Sequence, residues 1–177
     1  MNNIIKNFTG FDGRLNRQPF WISAIILAVI SIVISFLLLP VIGLSMMPNI
    51  APGTSSADVI AALPDMMRKS GWVSLVMFLI FLYPVASISI KRRHDRNNSG
   101  LDVWIYYALA IINLLLNALG FGLTTTTVQG IDIPTPGPIS MVLGIVLAVY
   151  GIYLLVVCGF LKGTTGPNSY GPDPLQG

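Results

Sequence analysis

Polar and apolar positions in this chain separate into long blocks. Four runs, at about residues 20–39, 72–90, 103–119 and 139–161, contain no Lys, Arg, Asp, Glu or His. A helix needs about 20 mostly apolar residues to cross the ~30 Å hydrocarbon layer, where lipid offers the backbone no hydrogen-bond partner. The pattern predicts an all-α integral membrane protein of one domain with four transmembrane helices. Segments 1–19, 91–102 and 162–177 then share one side, and the loops 40–71 and 120–138 the other.

The cations decide which side is which. Lys6, Arg14, Arg17, Lys91, Arg92, Arg93, Arg96 and Lys162 fall on the side of the termini, against only Arg68 and Lys69 opposite. An excess of Lys and Arg marks cytoplasmic loops, so both termini and the 91–102 loop are expected in the cytoplasm of a bacterial inner membrane. Composition agrees with a lipid environment. Only 10% of the 177 residues are charged, against about 25% in soluble domains. Mean hydropathy is +0.76. The net charge of +3 follows from topology and is not read as nucleic-acid affinity. The first apolar run is too long for the core of a signal peptide, and no small-residue cleavage site follows it.

Between the runs the chain has its own local signals. Ile4, Ile5, Phe8 and Phe11 recur at helical spacing among polar residues, predicting a short interfacial helix before a turn at Gly13. Asn16 is placed to cap the first span, with Pro19 in its first turn and Trp21 at headgroup depth. In the first outer loop Pro48, Pro52 and Gly53 break structure, and Ser55-Ser56-Ala57-Asp58 opens a short helical stretch to about Lys69. The second outer loop, with Thr124 to Thr127 and three prolines, reads as irregular or weakly extended. The tail, rich in Gly and Pro, predicts a fixed series of turns anchored by Tyr170.

Candidate chemistry concentrates at 91–102. Lys91-Arg92-Arg93-His94-Asp95-Arg96 is far more charged than the rest of the chain. The cations complement the C-terminal end of span two, and Ser99 or Asp102 is expected to cap span three. Together with Arg14 and Arg17 they also make a basic surface suited to anionic headgroups or a phosphorylated partner. Arg96, Arg14 or Arg17 is expected to pair with Asp95, partly solvated. One His and one Cys do not make a metal site, so no metal or cofactor is assigned. Cys158 reads as a small buried hydrophobe. Within the spans, Asn113 and Asn117 share one face as interhelical glue or a polar path. Gly144, Ala148 and Gly151 form a small-residue face. Pro84 commonly kinks such a helix and opens a small cavity.

Three segments together resemble a known family. Phe11-Asp12-Gly13-Arg14-x-Asn16-Arg17-x-x-Phe20-Trp21 is similar to the opening F-x-G-R-x-S-R-x-x-F-W of the YhaH-like bacterial inner-membrane proteins, DUF805. Arg92-Arg93-His94-Asp95 with Ser99-Gly100, preceded by Pro84, resembles that family's P…R-R-x-H-D-x-x-x-S-G stretch. The segment from Lys162-Gly163-Thr164 to Tyr170-Gly171-Pro172-Asp173-Pro174 resembles its K-G-T-x-G-x-N-x-Y-G-P-D-P ending. Arg93 departs from the pattern, standing where the family usually has an apolar residue; Ser169, Leu101 and Pro19 depart as well. The resemblance implies a small inner-membrane protein without an established activity. It marks Arg14, Arg17, Arg92, His94, Asp95, Ser99, Gly100, Lys162, Asn168 and Tyr170, all on the cytoplasmic side.

The leading expectation is a non-enzymatic protein whose cytoplasmic face, one packed polar assembly, binds a protein partner, an anionic lipid headgroup or a phosphate-bearing ligand. The alternatives are an oligomeric transporter or channel subunit built on Pro84 and the Asn113/Asn117 face, and an interfacial enzyme using His94 and Asp95.

Overall fold

The computed structural model describes residues 4–41, 55–128 and 131–176. Among these residues are four α-helices: α1 (Arg17–Val41), α2 (Ser56–His94), α3 (Leu101–Leu119) and α4 (Pro138–Leu155). All four are long and apolar enough to cross a membrane. Their outward faces are dense in exposed apolar side chains, among them Ile32 and Phe36 on α1 and Ile145 and Val149 on α4. α2 packs against both α1 and α3, and α4 packs against α3. The core lies toward the end where α2 meets α3. One cluster joins Leu15, Phe20, Leu27, Ile88 and Cys158, and a second joins Ala86, Ile90, Val103 and Tyr107.

The short helix expected at 55–69 and the second span are one continuous element. At ~1.5 Å per residue, α2 is nearly twice the length a bilayer requires. Its start is set by Ser55, whose Oγ accepts from the Asp58 amide and donates to Asp58 Oδ2 at 2.7 Å. Gly71 does not break it, because the glycine lets another backbone approach: a Cβ there would lie 2.8 Å from Ala118 Cα. The expected breakers Pro48, Pro52 and Gly53 lie outside the described residues.

Three other expectations are corrected. The segment 120–138, expected to be irregular or weakly extended, is a paired antiparallel hairpin, β1 (Leu123–Val128) with β2 (Ile131–Pro136), so the chain is mostly rather than wholly helical. The β-branched threonines suit extended pairing. Thr126 and Thr135 join across the strands at 2.9 Å, and Gly137 N–H donates to Gly122 O at the base. The N-terminal segment is a 3₁₀ turn, Ile4–Phe8, in which Ile5 stays 64% exposed while Phe8 packs against the core. α3 starts at Gly100, in the left-handed region at φ 75°, with no side-chain cap from Ser99 or Asp102. Asn16 does cap α1, accepting from the Gln18 amide at 2.9 Å.

α4 ends in a wide π-turn, Val156–Phe160, closed by Leu161 N–H on Val156 O. This turn carries α4 across to α1 and α2. Of the small-residue face, only Gly151 meets a neighbour, Tyr106; a Cβ on Gly144 would meet nothing within 4 Å, and Ala148 is exposed.

The Gly71 contact yields a direct test. Gly71→Leu should force α2 from α3 and destabilise the bundle by about 1–3 kcal/mol, read as a lower unfolding temperature in detergent. The same change at Gly144 should be close to neutral.

Candidate functional site

The last turn of α2 determines the polar end of the bundle. Successive residues of a helix point about 100° apart, so four in a row face four directions. Lys91, Arg92, Arg93 and His94 are all buried, and each reaches a different part of the chain. Lys91 Nζ donates to Lys6 O at 2.6 Å and Thr9 O at 2.8 Å, fastening the N-terminal turn. Arg93 pairs with Asp102 at 2.8 Å and donates to the Tyr153 hydroxyl, tying α2 to α3 and α4. His94 Nδ1 lies 3.2 Å from Gly13 O and so carries the donated proton; its ring stacks on Tyr170 at 3.8 Å.

Arg92 is the centre of the arrangement. Its side chain has no exposure, and its guanidinium meets Cys158 O at 2.7 Å, Leu15 O at 3.4 Å, Leu161 O and one oxygen of Asp95. Two of these acceptors sit at the negative end of the last helix, where a cation is favoured. The neighbouring carbonyls of the π-turn are met in the same way: Val157 O by Arg96, Gly159 O by Trp21 Nε1 at 3.0 Å, and Phe160 O by Arg17 at 3.3 Å.

Asp95 joins this centre to the tail. Its second oxygen takes Arg14 Nε at 3.1 Å, and its backbone carbonyl accepts from the Thr164 amide at 2.8 Å. Arg14 continues to Thr164 O at 2.6 Å and Gly166 O at 2.7 Å. A Cβ at Gly163 would fall within the Asp95 carboxylate, so the tail passes here only as glycine. Asn168 Nδ2 donates to His94 O, and its Oδ1 accepts from the Tyr170 amide, each at 2.9 Å. Asp173 accepts from the Leu175 and Gly166 amides, which hold its carboxyl below the usual carboxylate range.

Arg14, Arg92, His94, Asp95, Asn168 and Tyr170 therefore form one assembly, with Tyr170 as the expected anchor. The Asp95 pairs are buried rather than partly solvated, and Arg96 and Arg17 turn to carbonyls instead. Gly100 belongs for a steric reason, since a Cβ there would meet Ile90 at 3.2 Å. Ser99 stands outside, exposed. Arg17 and Lys162 are also exposed, and among the described residues neither has a carboxylate partner. They flank a recess of about 800 Å³ beside Trp21, Thr165 and Asp173.

Asn113 and Asn117 lie apart from this assembly. Asn117 Nδ2 donates to Asn113 O of its own helix at 2.7 Å. The Asn113 side-chain oxygen is buried without a partner among the described residues. Sequence reasoning missed the anchoring of Lys91, the steric need for Gly163 and the Arg93–Asp102–Tyr153 link. The last two had a signal, the place of Gly163 in the K-G-T motif and the departure at 93.

The sequence model of a family described as "Protein of unknown function (DUF805)" matches residues 8–172. The chain is 22% identical to the "Inner membrane protein YhaI" of Escherichia coli K12 over 174 residues, 98% of this chain and 93% of that protein. The protein of the same name from Escherichia coli O157:H7 matches equally. No solved structure matches.

Two outcomes follow from the geometry. Arg92→Met removes one partner of a buried pair and should cost about 3–5 kcal/mol in detergent unfolding, with Arg92→Lys recovering only part of it. The Asp173 carboxyl is held below its ordinary 3.8, so its contribution to tail docking is complete above that pH and is lost as pH falls through the lower folded value. A nitroxide at Thr165→Cys should thus become mobile on acidification below about pH 4. In an Asp173→Asn background its mobility should be higher at neutral pH and less sensitive to acid.

Proposed function

The chain belongs to the DUF805 family, and we propose that it is a non-enzymatic inner-membrane protein whose cytoplasmic face binds a phosphate-bearing anion. The observation that carries this reading is the contrast between the enclosed cations and the two exposed ones that border the recess. Lys91, Arg92, Arg93 and Arg14 are enclosed and committed to carbonyls and carboxylates. Arg17 and Lys162 border an open recess and neither is paired with a carboxylate among the described residues, because the two carboxylates that line it, Asp95 and Asp173, are taken up by Arg14, Arg92 and backbone amides. A rigid, cross-braced floor holding two exposed cations apart is suited to recognising a small anion. The binding surface thereby narrows from the ten marked residues to these two, with the others serving as their support.

Orientation is part of the proposal. The eight-to-two distribution of Lys and Arg favours placing the polar end in the cytoplasm, and the inner-membrane name of the curated relative is consistent with it. Binding is favoured over catalysis because His94 is held between Gly13 and Tyr170, while both oxygens of Asp95 are occupied by arginines.

The test is the phosphate retained by the purified protein after exhaustive detergent exchange. Arg17→Gln and Lys162→Gln should each weaken retention about fivefold, near the ~1 kcal/mol attributed to one interfacial cation. Unfolding temperature should be unchanged. Retention unaffected by the double variant would reject the reading.

A further inference from the structure

We propose that the ligand of this face carries two phosphate groups joined by a short polar linker and lies in a trough past the start of α1; this rests on Arg17 and Lys162 being the anion site. A second recess, of about 440 Å³, adjoins the one they border and is lined by Lys6, Arg14, Pro19, Ile22 and Pro174, among others. The two recesses share Asn16 and Gln18. The tail walls both, with Pro174 in one and Asp173 and Leu175 in the other. Successive helix residues point about 100° apart, so Gln18 projects between Arg17, which lines only the larger recess, and Pro19, which lines only the smaller. The boundary is therefore a stretch with two uncharged amide side chains, and Gln18 is exposed.

The order of charges along this trough argues for the second phosphate. Lys6 borders only the smaller recess, and its backbone is fixed: Lys6 O accepts from Lys91 Nζ at 2.6 Å, and the adjacent Asn7 Nδ2 donates to Ser23 Oγ of α1 at 3.0 Å. The Lys6 side chain is exposed and belongs to none of the ion pairs among the described residues. No carboxylate lines its recess, and Arg14 there is already paired with Asp95. A lone cation is thus followed by neutral amides and then by Arg17 and Lys162. One phosphate complements one end and leaves the other unmatched, whereas two phosphates on an uncharged linker complement both. Ile22, Phe160 and Leu175 are exposed apolar residues that also line the recesses, which brings the trough within reach of lipid headgroups. A lipid head with two phosphates and a soluble bisphosphate share the required chemistry.

The experiment titrates the purified full chain in detergent and reads the first ligand bound by native mass spectrometry. Each two-phosphate probe is compared with its one-phosphate counterpart: tetraoleoyl cardiolipin with dioleoyl phosphatidylglycerol, and the deacylated head bis(glycerophospho)glycerol with sn-glycerol 3-phosphate. The two-phosphate member should bind about fivefold more tightly, the increment of one further interfacial cation. Lys6→Gln should remove that preference while leaving one-phosphate affinity and unfolding temperature unchanged, and Lys6→Arg should retain it. A Lys6-dependent preference in the lipid pair alone identifies a lipid-borne ligand; one in the soluble pair as well shows that the head suffices. Equal affinity within both pairs, or a preference that survives Lys6→Gln, overturns the two-phosphate inference and leaves the Arg17 and Lys162 site standing. If Arg17→Gln/Lys162→Gln binds every probe as wild type does, the anion site itself falls, and this inference with it.

Discussion

A guanidinium without access to water must be satisfied on every side, and that requirement at Arg92 sets the form of this protein's polar end. Moving an ion out of water costs several kcal/mol, repaid only by good geometry and by hydrogen bonds to its remaining donors. Here the acceptors come from three separate stretches of chain: Leu15 before α1, Asp95 at the end of α2, and Cys158 with Leu161 at the end of α4. None is close enough in sequence to assemble without the fold, apart from Asp95. The bundle therefore closes at this end, whereas farther along its length α4 packs mainly on α3.

The neighbours of Arg92 extend the same logic. Because α2 continues through Lys91–His94, consecutive side chains diverge, and a short basic run that would otherwise be a solvated face becomes a four-way junction. Asp95 then couples this junction to a tail with no helix of its own. The tail is fixed by backbone groups offered to Arg14, Asp95 and Asp173, and by one aromatic stack. Of the cations outside the junction, Arg17 and Lys162 gain their interest from bordering the recess on a rigid support.

Much of this was legible in the sequence, and for identifiable reasons. The four spans follow from apolar length alone, because a bilayer imposes that length whatever the partners. The clustering of Arg14, Asp95 and Tyr170 was signalled by motifs at three distant places. The burial of Arg92 and the division of cations into inner and outer sets were not legible, since they depend on which carbonyls the π-turn presents. The fusion of 56–69 with the second span was hidden by Gly71, whose role is to admit Ala118 rather than to end a helix. The hairpin at 123–136 was hidden by its prolines, which sit on a two-stranded edge where the missing donors cost little.

The claim that one buried junction holds both the N-terminal segment and the tail is tested most directly by amide hydrogen exchange in detergent, comparing wild type with Asp95→Asn. The account predicts that residues 10–15 and 163–171 lose protection together while α1 and α3 keep theirs. Protection that persists in both segments, or is lost in only one, would contradict it.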